Sequence, residues 1–114
     1  MSDFELILDE LESASPPDRQ RIGDAVRSVL GTIASNAPGR SVEIRVPPHA
    51  AVQAIAGPTH RRGTPGAVVE MDARCLLELA VGRVTWDQAL AAGRVQASGE
   101  RSDLTPLFPL EEVR

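Results

Sequence analysis

Residues 42–72 read VEIRVPPHAAVQAIAGPTHRRGTPGAVVEMD, and the way polarity alternates through them decides the fold class. Val42, Ile44 and Val46 alternate with Ser41, Glu43 and Arg45, the period-two pattern of a strand with one buried face and one wet face. Pro47-Pro48 ends it, since proline brings no amide hydrogen to a ladder. Ala51-Val52-Gln53-Ala54-Ile55 reads as a second, weaker strand, and the glycines and prolines of Gly57 to Gly66 as a loop. Ala67-Val68-Val69-Glu70-Met71 is a third strand running into Asp72, an expected helix N-cap. A loop, not a crossover helix, separates the second and third strands.

Toward the C-terminus the period becomes helical. Leu76, Leu79 and Ala80 mark the buried stripe of a helix that ends near Gly82, a residue suited to the left-handed C-terminal position. Thr85 and Gln88 have capping-box spacing and open a short helix through Trp86, Ala89 and Leu90 that closes at Gly93. Arg94 to Ser98 is expected as a fourth strand with Val95 and Ala97 facing inward, and Ser102 as the cap of a last turn carrying Leu104, Leu107 and Phe108.

Toward the N-terminus, Phe4, Ile7, Leu8 and Leu11 recur at helical spacing behind a Ser2/Glu5 capping box. Ser15-Pro16-Pro17-Asp18 stops that helix and starts another over about 16–36, with Ser15 as its expected cap and Ile22, Val26, Val29 and Ile33 as its buried stripe. Ala37-Pro38-Gly39 ends it. The order of elements implies one α+β domain, its helices packed against a largely antiparallel sheet.

Composition narrows the function. With 114 residues, 42% hydrophobic and 25% charged, the chain has the make-up of one globular domain. Its apolar runs are far shorter than the ~20 residues a membrane span requires, and the acidic start lacks the basic region of a secretion signal. A single cysteine, Cys75, excludes an internal disulfide and a cysteine-type zinc site, and fits a reducing cytoplasm. Residues 1–38 hold seven acids and three arginines, and the remainder nine of each. With no basic excess, one Trp, two Phe and no Tyr, nucleic-acid binding is excluded.

The loop from Gly57 to Gly66 gathers Thr59, His60, Arg61, Arg62 and Thr64 in a glycine-permissive turn. Arginine forks and backbone amides there could hold an anion; the alternative is a structural loop paired with acids such as Glu70. His49 and His60 are the candidate acid-base groups, yet no nucleophile elbow, HExxH, GxGxxG or GxxxxGK[ST] accompanies them. Neither a metal nor a cofactor is expected. Trp86 either packs in the core or walls an apolar cavity.

Residues 67–110 hold Val68-Val69-Glu70-Met71-Asp72, a Leu-rich helix to Gly82, Thr85-Trp86, Ala89, Gly93 and Arg94-Val95-Gln96-Ala97-Ser98-Gly99 ahead of Leu104. Their order and spacing resemble the sterol carrier protein type 2 superfamily. Thr59 to Pro65 has the THxRGTP form of its bacterial sterol-carrier orthologue subgroup, which extends the resemblance to residues 40–110, behind a helical segment at 1–38. The resemblance implies a two-layer fold, a mostly antiparallel four- to five-stranded sheet with helices on one face and an apolar tunnel between the layers. It also implies a cytoplasmic, non-catalytic carrier of a lipid, sterol or acyl chain. The head group would sit near Gln53, Thr59, His60 and Arg62, and the chain against Leu76, Leu79, Trp86 and Leu90. Related bacterial domains serve as accessories to mycothiol-dependent and DinB-like enzymes, so a protein-interaction domain without a cavity is the alternative, and a separate protein partner or a homodimer stays open. An enzyme acting on an anionic substrate through His60 and Arg62 is the weakest reading.

Overall fold

The computed structural model describes residues 3–59, 63, 65–99 and 102–113. It is an α+β domain with the elements α1 (Asp3–Leu11), α2 (Arg19–Asn36), β1 (Val42–Val46), β2 (Ala50–Ala54), β3 (Ala67–Met71), α3 (Ala73–Val81), α4 (Trp86–Ala91) and β4 (Val95–Gly99), followed by two short 3-10 turns. The sheet has four strands in the order β2-β1-β3-β4. β1/β2 and β3/β4 are antiparallel and β1/β3 parallel, so the sheet is mostly antiparallel.

Alternation in the sequence becomes facing in the sheet. Val42, Ile44 and Val46 are fully buried, and Val69 beside them and Val26, Val29, Leu30 and Ile33 of α2 complete one continuous core. Both the end of β2 (Ala54) and the start of β3 (Ala67) lie beside Val42, so the connecting loop passes the Val42 end of β1. Arg40 ties that loop down: its Nε donates to Gln53 Oε1 at 3.1 Å and its Nη2 to the Gly63 carbonyl at 3.3 Å.

Several local expectations change. The cap of α2 is Asp18, which accepts from the Arg21 amide at 2.8 Å; Ser15 is not used, because Pro16 and Pro17 remain outside the helix. β2 begins one residue earlier than its sequence pattern and releases Ile55, which turns to φ 69 as its amide reaches back to the Ala37 carbonyl at 2.7 Å. In β4 only Val95 is buried; Ala97 is exposed although it sits opposite the buried Val69, since β4 is an edge strand whose inner face the helices cover only at Val95. Ser102 donates to the Gly99 carbonyl, and Asp103 instead accepts from the amide and hydroxyl of Thr105 at 3.0 and 2.6 Å, which holds its carboxyl below the usual range. The expected Ser2 cap lies outside the described residues.

Other local chemistry matches. Asp72 accepts from the Cys75 amide at 2.8 Å, Gly82 closes α3 at φ 84, and Thr85 and Gln88 cap each other's backbone at 2.9 and 3.1 Å. α1 packs Ile7 and Leu8 into the core and is pinned by Arg21–Glu10, Arg74–Glu12 and Arg83–Asp9 ion pairs.

Candidate functional site

After β4 the chain returns across α3 and α4. Leu104 is fully buried and Leu110 nearly so, while the Leu110 amide donates at 2.9 Å to the Ala80 carbonyl, one of the terminal helix carbonyls that α3 cannot satisfy itself. Phe108 lies over Trp86, with ring centroids 6.5 Å apart and planes 12° from parallel. Residues 104–110 therefore form a cover, and beside it runs a groove of about 580 Å³ walled by Ile33 and Asn36 at the end of α2 and by residues 106–112.

Beneath the cover is the one polar anomaly among the described residues. Trp86 is 3% exposed, and its indole Nε1–H has no hydrogen-bond partner. Buried donors are nearly always paired, because leaving one dry costs about 1–3 kcal/mol. Thr85 places the indole here by capping α4 one residue earlier, which fixes the first helical side chain toward the core.

The remaining candidates fall into different settings. Leu76 and Leu79 are fully buried, and neither lines the groove beside the cover. Leu90 is 40% exposed on α4. Gln53 is half-buried and holds Arg40, and Thr59 is exposed and bridges to Pro65. His60 and Arg62 lie outside the described residues. Ala37, next to the groove residue Asn36, meets Ile55 at the root of the same loop, so the groove and the loop share one end of the molecule. Periodicity gives no hint of Phe108 as the partner of Trp86, because the cover is irregular chain; nor does it reveal Arg40 as the loop anchor, one residue ahead of the alternating stretch.

Cys75 is buried, and burial pushes its thiol from 9.0 up to about 11, with nearby Arg94 pulling down and Asp72 and Glu78 pushing up. The folded protein should therefore resist thiol reagents at pH ~8 and react only on unfolding. Below pH 9.0 both states hold the proton; between there and about 11 only the unfolded state loses it, so stability should fall across that window. An urea midpoint that stays level from pH ~9 to ~11 would contradict this burial.

Among the described residues no group of histidine, cysteine and carboxylate side chains could hold a metal, and no helix is long and apolar enough to cross a membrane. Comparison with curated proteins finds no match. A family profile, described as "Bacterial SCP ortholog", matches residues 18–110, taking in α2 as well as the stretch from residue 40 onward. The sheet, helices α2 to α4 and the covered tryptophan all lie within that span, and the chain belongs to the bacterial orthologue family of the sterol carrier proteins.

Proposed function

We propose that the protein is a non-catalytic, sterol-carrier-like binder of an amphipathic lipid or acyl ligand, received where residues 104–110 cover Trp86. The observation that carries this reading is the dry, unpartnered indole N–H. A ligand carbonyl or carboxylate could accept from it, and an apolar chain replacing the cover against the core would gain ~0.8 kcal/mol per buried methylene. Displacement of the cover is required, since Leu76 and Leu79 leave the described core filled where a tunnel is expected. Leu76 and Leu79 then serve as part of the packed floor and Leu90 as an exposed rim. Gln53 in β2 and Thr59 in the loop that follows it, together with His60 and Arg62, are proposed to orient the polar head.

Trp86 is the chain's sole tryptophan, so its fluorescence reports on this site alone. Fatty acyl ligands should shift and saturate that emission, and native mass spectrometry of freshly purified protein should show bound lipid. Unchanged emission across fatty acids, acyl-coenzyme A and sterols, with no lipid carried through purification, would defeat the proposal.

The filled packing around Leu76 and Leu79 favours a second reading, an accessory domain that partners a thiol-dependent enzyme of the mycothiol or DinB-like kind. It predicts stable co-purification with such an enzyme and no response to lipid.

A further inference from the structure

We propose a separate binding site, for a phosphate group, in the groove between the first turns of α2 and the turn joining β1 to β2. This groove, about 600 Å³, is lined by Arg19, Gln20, Gly23, Arg27, Pro48 and His49. It sits toward the opposite end of α2 from Ile33 and Asn36 and does not rest on the lipid reading.

Of the groove's two arginines the chain answers one, Arg27, and leaves the other, Arg19, free. Arg21, Arg45, Arg74, Arg83 and Arg94 each meet a carboxylate, and Arg40 meets Gln53 and the Gly63 carbonyl. Among the described arginines Arg19 alone has neither an ion pair nor a side-chain hydrogen bond, and the His49 imidazole likewise has none. Arg27 gives its Nη2 to Asp24 at 2.5 Å, while its Nη1 makes no hydrogen bond among the described residues. Among the described residues no carboxylate lines the groove, although the chain as a whole carries a net charge of −4.

The floor is built by a glycine. Gly23 is buried inside α2, where alanine would favour the helix by about 1 kcal/mol. A Cβ there would stand 3.2 Å from both Arg27 Nη1 and His49 Nδ1. These two nitrogens therefore converge over the bare backbone, no farther apart than twice that distance. Each can donate to an oxygen of its own on a group seated over that backbone, with Arg19 along the same groove for a third oxygen. Three separate donors suit a tetrahedral phosphate monoester better than a planar carboxylate, which offers two oxygens. That phosphate can belong to a soluble ester or to the head group of phosphatidic acid.

The test follows the Gly23 amide and His49 imidazole of the full chain by NMR. One arm adds inorganic phosphate against chloride at matched ionic strength; the other adds phosphatidylcholine vesicles with and without phosphatidic acid. Phosphate should produce saturable shifts that chloride does not, and Arg19→Gln should weaken them about tenfold. Gly23→Ala should weaken binding as well while leaving thermal stability equal or higher, which separates the site from a folding defect. Shifts confined to phosphatidic acid vesicles would assign the site to a lipid head group. Two results overturn the proposal: no shift beyond the controls in either arm, or shifts that persist undiminished in both variants.

Discussion

Leu76→Ala should destabilise the fold by about 2–5 kcal/mol, seen as a lower urea midpoint with little change in slope. Leu76 is fully buried on α3, in the same core cluster as the inward residues of β1, β3 and α2. Its removal takes away apolar transfer energy and leaves a cavity that surrounding close-packed side chains fill only in part. Leu90→Ala, one helix later, should change stability by less than ~0.5 kcal/mol, because Leu90 already stands 40% exposed. Equal losses at the two sites would mean that the helical layer is not packed as described. A nearly neutral Leu76→Ala would point to empty space around it, the tunnel that the family resemblance implies.

A comparable loss, of order 3 kcal/mol, is expected for Gly39→Ala. Gly39 stands at φ 152, and a Cβ there would overlap the backbone carbonyl of Ile55. The approach is close because three hydrogen bonds cross at this point. The Ser41 amide and hydroxyl both reach the Ile55 carbonyl, at 3.1 and 2.6 Å, and the Ile55 amide reaches Ala37 at 2.7 Å. They join the end of α2 to the start of β1 and the root of the loop, so a side chain there would part the helical layer from the sheet. Circular dichroism melts of the variant should fall by several degrees or more; an unchanged melt would show that the crossing is looser than its geometry.

What the sequence makes legible here follows from where short-range chemistry is sufficient. The β1 alternation, the Asp72 cap, the left-handed Gly82 and the Thr85/Gln88 box each depend on neighbours a few residues away, and each stands in the fold as its pattern indicates. Ala97 is different: its period is that of an inward residue, but burial depends on whether a helix covers the last strand, and none does beyond Val95. Ser15 and Ser102 fail as caps for a related reason, since a nearby aspartate, Asp18 or Asp103, offers a stronger acceptor at the turn the chain actually takes. Among the candidate ligand residues, sequence identifies apolar stripes without telling a wall from a filled core. Leu76 and Leu79 prove to be core, Trp86 is core with an unanswered donor, and the stacking of Phe108 on it comes from an irregular segment that no periodicity marks.

That unanswered donor permits a direct measurement. The Nε1–H of Trp86 gives a single indole resonance in an NMR spectrum of the labelled protein, because no other tryptophan is present. On addition of a long-chain fatty acid the account predicts a saturable downfield movement as a ligand oxygen accepts from the indole, together with shifts at Phe108 and Leu110 as residues 104–110 give way. An indole resonance that stays in place through saturating additions of fatty acid, acyl-coenzyme A and sterol would contradict it.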